Sequence, residues 1–220
     1  MIGRTSNRGR NPTAQTRFNP VRREFMSNVR IVALAGSLRS GSFNKKLIKI
    51  AATGARAAGA AVTEVDLRDI PLPLYDGDVE REHGLPPNAK VFKRLLIEHH
   101  GFLISSPEYN SAISGVLKNA IDWASRPEPN EPALVAFKGK VAGLVSASPG
   151  HLGGIRGLAA LRSILSNIGV IVIPTQMAIG RANDAFEQDG TLKDERQQAT
   201  VESVGAEVVS IVAKLLGVIV

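Results

Sequence analysis

Along most of this chain, short runs of apolar residues alternate with stretches in which apolar residues recur at helical spacing. Val29-Arg30-Ile31-Val32-Ala33-Leu34-Ala35 is mostly apolar and stops at Gly36, which predicts a buried strand. From Asn44 to about Ala58, the residues Leu47, Ile48, Ala51, Ala52 and Ala55 fall on one helical face, with Asn44 as a cap and Gly59 as a terminator. Ala61–Leu67 alternates as a second strand and runs into the Pro-rich stretch Ile70–Tyr75. Asn88–His100 is predicted as a helix with Val91, Leu95 and Leu96 inward, followed by a third strand over Gly101–Ser105. Gly115–Ser125 is predicted as a helix ending near Pro127, Lys140–Ala147 as the fourth strand, Gly154–Ile168 as a helix and Val170–Ile173 as the fifth strand. Lys193–Leu216 closes the chain as a long helix whose inward stripe is Val201, Val204, Val208, Ile211, Val212 and Leu215.

Strict alternation of strand and helix, without internal repeats, predicts an α/β fold: a doubly wound, five-stranded parallel sheet covered on both faces, three layers thick. For that count the expected order is the flavodoxin-like 2-1-3-4-5. A ligand should then lie at the switch point, beyond the carboxyl ends of strands one, three and four. The loops there are Gly36–Phe43, Ser106–Ser114 and Ser146–Gly154.

Composition narrows the chemistry. The chain has 220 residues and no cysteine, so disulfides, thiolate metal sites, iron–sulfur clusters and a cysteine nucleophile are excluded. No apolar run approaches the roughly 20 residues of a membrane span. The net charge of +7 suggests nucleic acid until it is located: residues 1–26 carry six arginines against Glu24, a net +5, and leave the body nearly neutral. That extension, 1–26, is expected to be disordered or loosely attached to a domain spanning 27–220. It has the composition of a transit-type segment or an anionic-surface tether, but no apolar core and no clear amphipathic repeat. It is read as sequence upstream of a natural start at Met26. His83, amid Asp76, Asp78, Glu80 and Glu82, fits no metal-ligand spacing and is read as a solvated loop. His99 and His100 are expected near a helix C-terminus, where positive charge is favourable.

The first loop offers hydroxyls at Ser37, Ser40 and Ser42, the Arg39 guanidinium, and backbone N–H groups at a helix N-terminus, a concavity that suits a phosphate. It matches neither the dinucleotide Gly-x-Gly-x-x-Gly nor a P-loop, since Ser42 stands where lysine is needed. In the second loop, Tyr109 can pack on a planar ligand while Asn110 and loop amides bond its edge, although alone it would read as a polar turn. The third loop, with Ser146, Ser148, Pro149 and glycines at 150, 153 and 154, allows close backbone approach to a flat ring. His151 in such a loop is weak support for acid–base chemistry.

Four segments together carry a resemblance: Gly36-Ser37-Leu38-Arg39-x-x-Ser42-Phe43-Asn44, Ser106-Pro107-Glu108-Tyr109-Asn110, Leu117–Arg126, and the Ser146–Gly154 loop before Ile155-Arg156. From about Val29 onward the chain resembles the NAD(P)H-dependent FMN reductase family, especially its quinone and chromate reductase branch. The resemblance implies an FMN cofactor, with NADPH or NADH as electron donor, held by Ser37, Arg39, Ser42, Phe43 and Asn44 at the phosphate. It implies that Pro107, Glu108, Tyr109 and Asn110 flank the ribityl chain and ring, and that Ser146, Ser148 and Gly153 border the isoalloxazine. It further implies ping-pong transfer to a small-molecule electron acceptor such as a quinone, a flavin, an azo compound or chromate, with no protein acid, base or nucleophile required. A cytoplasmic homodimer or homotetramer is the expected form, with Ile121 and Trp123 as candidate interface residues; for Trp123 an ordinary core position is the competing reading. Two other functions compete. A flavodoxin-type electron carrier lacks its own NAD(P)H activity and is usually acidic, unlike this body. A nucleic-acid-associated protein would have to bind through the arginine extension alone, because the body shows no basic aromatic stripe.

Overall fold

The computed structural model describes residues 29–217. The basic extension 1–26, the Met26 start and residues 218–220 at the end of the chain lie outside the described residues. The elements are β1 (Arg30–Ala35), α1 (Phe43–Ala57), β2 (Ala61–Asp66), α2 (Gly77–His83), α3 (Pro87–Glu98), β3 (Gly101–Ser105), β4 (Glu108–Tyr109), β5 (Ala112–Ile113), α4 (Gly115–Ser125), β6 (Val141–Ala147), α5 (Ile155–Asn167), β7 (Ile171–Ile179), α6 (Ala182–Ala185) and α7 (Glu195–Leu215). Five strands pair in parallel in the order β2-β1-β3-β6-β7, which is the expected order with β6 and β7 as fourth and fifth strands. The sheet has a core on each face. Ile31, Ala33 and Ala35 face α1 and α7, while Val32 and Leu34 face α3, α4 and α5, as the two-residue strand period requires.

Local signals explain where the elements end. α1 stops in a Schellman arrangement: Ala60 N–H donates to Ala55 O at 3.1 Å and Gly59 N–H to Arg56 O at 2.9 Å, with Gly59 at φ 98°. α7 begins at Asp194, whose carboxylate accepts from the N–H groups of Arg196 and Gln197. Its buried stripe includes Gly205 and Val209, whereas Leu215 is exposed.

Several expectations are corrected. The α1 N-cap position belongs to Ser42, and Asn44 is already inside the helix with its side chain turned into the core. In α3 the inward face is Ala89, Phe92, Lys93 and Leu96, and Val91 is 59% exposed. A lysine in the stripe hid its phase; Lys93 is buried because its Nζ pairs with Glu131. The region around His83 is a short helix, α2, capped by Asp76, and it buries no residue, so no apolar period marked it. Among the described residues no group of metal-ligating side chains occurs and no helix is long and apolar enough to cross a membrane.

β7 runs six residues past the predicted Ile173, through Pro174. It is an edge strand with a register shift opposite Ala142 and Leu144, where a proline is tolerated. Arg162 of α5 donates to Val172 O, Ile173 O and Gln176 Oε1, satisfying acceptors at that irregularity.

Ile121 and Trp123 lie inside the folded chain, 5% and 0% exposed, and so offer no surface to an interface. Trp123 donates Nε1–H to Pro73 O at 2.8 Å, and Tyr75 meets its ring edge-on. His99 and His100 do lie at the C-terminus of α3, with His99 as its C-cap, but His100 is not the favourable positive charge there. Burial, reinforced by the charges of Arg30 and Lys140, pushes its pKa below the ordinary value, and its Nδ1 accepts the Arg30 N–H at 3.0 Å. At that helix end the His99 ring Nδ1 lies 2.7 Å from Leu95 O, and Lys140 supplies a cation, donating Nζ to Ile97 O at 3.0 Å and to His99 O; burial pushes the Lys140 pKa down to about 8.

Candidate functional site

The three loops meet at the carboxyl edge of the sheet because β1, β3 and β6 are adjacent there. Hydrogen bonds join them. Gly36 N–H donates to Ser105 O at 2.9 Å, and Ser106 N–H to Val145 O at 3.0 Å. The buried Ser114 hydroxyl donates to Gly36 O at 2.6 Å and accepts Leu117 N–H as the N-cap of α4, fixing the second loop to the first. Asn44 ties the first loop to the third: Oδ1 accepts Ala147 N–H at 3.0 Å and the Ser105 hydroxyl at 2.9 Å, while Nδ2 donates to Ala147 O at 2.9 Å.

In the first loop, Ser37 and Ser42 are buried and Arg39 is exposed at the outer arch. Arg39 N–H donates to Ser37 Oγ at 3.3 Å. The Ser42 hydroxyl caps no helix amide, and its carbonyl takes the N–H groups of Lys45 and Lys46. Helix geometry therefore leaves the N–H groups of Phe43 and Asn44 without intrahelical acceptors at the mouth. A Cβ at Gly41 would meet nothing within 4 Å, so the arch has space above it. These features fit a phosphate. The Phe43 ring instead stacks on Phe186, centroids 5.8 Å apart.

The second loop contains a hairpin absent from the sequence reading. β4 and β5 pair antiparallel, and Asn110 and Ser111 form the two-residue turn with φ 52° and 65°. Asn at a position needing positive φ was the available signal. Pro107 is buried, Tyr109 is 50% exposed and Asn110 is exposed at the turn. Glu108 turns toward the protein: its carboxylate accepts the N–H groups of Arg156 at 3.0 Å and Gly157 at 3.1 Å and pairs with the Arg156 guanidinium at 2.5 Å. It thereby caps α5, whose N-cap residue, Gly154, has no side chain to do so.

Burial would raise the Glu108 pKa, but the Gly157 amide and the Arg156 guanidinium outweigh it and hold the carboxyl below its ordinary value. Its contribution to stability is therefore present above the ordinary carboxylate value and lost as pH falls through the lowered folded value. Glu108→Gln is expected to destabilise the fold by about 1–2 kcal/mol at pH 7. Urea melts from pH 7 to pH 3 should show that gap closing as the wild-type carboxylate protonates.

In the third loop, the Ser146 hydroxyl is fully buried without a hydrogen-bond partner among the described residues, and a Cβ at Gly154 would lie 2.0 Å from it. Ser148 is held to the end of β7, its N–H on Ile179 O at 3.0 Å and its carbonyl on Ala182 N–H at 3.1 Å. Gly153, at φ 63°, passes so close to β7 that a Cβ would stand 2.7 Å from the Ala178 carbonyl carbon. His151 is exposed, and its Nδ1 accepts the Arg181 Nε–H at 3.2 Å. Ser114, Arg181 and the Asn44–Ala147 bridge were not found from the sequence; only Ser114 had a local signal, a serine just before a helix.

The outer side of the first loop borders a groove of about 520 Å³ between α1 and β2, lined in part by Gly41, Lys45 and Arg68. Its inner side borders one of about 280 Å³ that includes Leu38 and Asn119.

Fold and loops together define a doubly wound α/β protein with a phosphate-suited helix end at its switch point, beside one loop that turns at Asn110 and another that carries Gly150, Gly153 and Gly154. The chain belongs to the NADPH-dependent FMN reductase family, whose profile matches residues 29–184. It is an oxidoreductase that works with FMN and a reduced pyridine nucleotide. An NAD(P)H-dependent FMN reductase of Pseudomonas aeruginosa is 35% identical over 176 residues, 80% of this chain and 90% of that one. A quinone reductase of Escherichia coli is 38% identical over 146 residues, 66% of this chain and 73% of that one. Among solved structures, the flavoenzyme NAD(P)H:(acceptor) oxidoreductase FerB from Paracoccus denitrificans superposes with a TM-score of 0.72 at 28% identity, covering 84% of this chain and 98% of that one.

Proposed function

We propose that residues 27–220 form one FMN-binding domain that reduces quinones, free flavins or similar small acceptors at the expense of NADPH or NADH. The observation that carries this reading is the joining of three loops, through Asn44 and Ser114, around the N-terminus of α1. Bound there, FMN would supply two-electron redox chemistry linking the pyridine nucleotide to the acceptor. The chain's own part is to bind and orient. The N–H groups of Phe43 and Asn44, the Ser37 and Ser42 hydroxyls and Arg39 are assigned to the phosphate. Asn44 contributes through its backbone, because its amide side chain is occupied by Ala147 and Ser105. Tyr109, Asn110, Ser148 and the backbone near Gly153 are assigned to the ring and its edge. Pro107, Glu108 and Ser146 support those loops from behind. Exposed Leu38, Tyr109 and Leu152 give this end of the molecule an apolar rim suited to planar acceptors. A cytoplasmic location and a homodimer or homotetramer belong to the same proposal.

The test is an absorbance spectrum of the purified protein, with FMN added if it is colourless, followed by anaerobic NADPH or NADH. Flavin bands that bleach and recover on adding a quinone are the expected result. Bands that stay oxidised would point to an electron carrier, and failure to bind FMN would overturn the reading of the loops.

A further inference from the structure

We propose that Arg68 is a positioning residue for the phosphate cradle, acting through the carbonyl of Leu38. This rests on the reading that the first loop holds the FMN phosphate. Arg68 lies in the turn after β2, outside all three loops of the site. Its Nε–H donates to Leu38 O at 3.0 Å, and a second guanidinium N–H, on Nη2, donates to the same oxygen. The N–H of the same peptide, on Arg39, donates to Ser37 Oγ. The 38–39 peptide is therefore fixed at both ends.

That orientation matters electrostatically. A backbone carbonyl carries partial negative charge, and one turned toward the cradle would oppose an anion there. With the Leu38 carbonyl directed at a guanidinium, its dipole is neutralised and the arch presents N–H groups and hydroxyls instead. Arg68 is itself held in place. Its own N–H donates to Asp66 Oδ1 at 3.0 Å, and Asp66 Oδ2 pairs at 2.5 Å with Lys45 in the first turn of α1. The chain of contacts Lys45–Asp66–Arg68–Leu38 thus fastens the helix N-terminus and the loop to the edge strand. These are the two parts whose spacing a phosphate would read.

The test compares FMN with riboflavin, which lacks the phosphate, by fluorescence titration of full-length flavin-free protein. Wild type is expected to bind FMN far more tightly than riboflavin. Arg68→Ala should raise the Kd for FMN roughly tenfold or more while leaving riboflavin nearly unchanged. Arg68→Lys, which keeps the charge and one donor, should restore part of the difference, and it carries the test if the alanine variant does not fold. Equal losses for both ligands would mark Arg68 as merely structural and overturn the proposal, as would an unchanged FMN-to-riboflavin ratio in both variants. A wild type that does not distinguish the two ligands would overturn the phosphate assignment of the first loop, and the proposal with it.

Discussion

Asn44→Ala is expected to lower stability by about 3–5 kcal/mol and to weaken FMN binding at least roughly tenfold. The side chain makes three hydrogen bonds in a buried setting, and truncation strands the Ala147 N–H, the Ala147 carbonyl and the Ser105 hydroxyl together. Each buried group left unpaired costs about 1–3 kcal/mol. At about 2–4 °C per kcal/mol for a domain of this size, the melting temperature should fall by about 10 °C. Asn44→Asp should not rescue, because it sets a carboxylate oxygen against the Ala147 carbonyl where Nδ2 now donates. The effect on FMN follows from geometry: the same amide fixes α1, with its free N–H groups, against the loop after β6. Thermal melts and FMN titrations of both variants decide the matter. A melting temperature within about 2 °C of wild type and unchanged FMN affinity would show that the bridge holds nothing.

The second large effect lies far from the site, where α1 crosses α7 at two glycines. A Cβ at Gly54 would stand 1.9 Å from Glu202 O, and one at Gly205 would stand 2.0 Å from Ala51 O. Both obstacles are backbone atoms, so relief requires the helices to separate along a contact that also packs Ala51, Ala55, Val201 and Val208. Alanine is the better helix former by about 1 kcal/mol. Overpacking costs about 1–3 kcal/mol when side chains alone can move, and more when backbone must. The clash should therefore win. Gly205→Ala and Gly54→Ala are each expected to lose about 3 kcal/mol and about 6–12 °C in melting temperature. Gly115→Ala is the control, since a Cβ there meets nothing within 4 Å; it should be neutral or slightly stabilising. Glycine variants at 54 and 205 that melt like this control would mean that the helices pack less closely than described.

By itself the sequence determined the alternation of elements, and through it the sheet order and the three loops at one edge. A buried parallel strand such as Phe102–Ile104 must be apolar on both faces, and a helix such as α5 must repeat apolar residues at 3.6, so both leave a periodic trace. The family was legible for a similar reason: its motifs are local strings that sit directly on those loops.

Only the tertiary structure decided which face or partner each polar side chain took. Asn44 and Glu108 both lie in site motifs, yet one amide locks two loops together and the other residue caps a helix 48 positions away in sequence. Lys93 hid the phase of α3 because its burial depends on Glu131, which no local pattern announces. Pro174 reads locally as the end of a strand, and is admitted only because β7 is an edge whose irregular register needs no N–H there. Arg68 shows the same thing at the cradle, where its partner is a carbonyl 30 residues away. Apolar burial is a property of the segment and repeats along it, whereas a hydrogen bond between distant residues depends on where the folded backbone brings donor and acceptor.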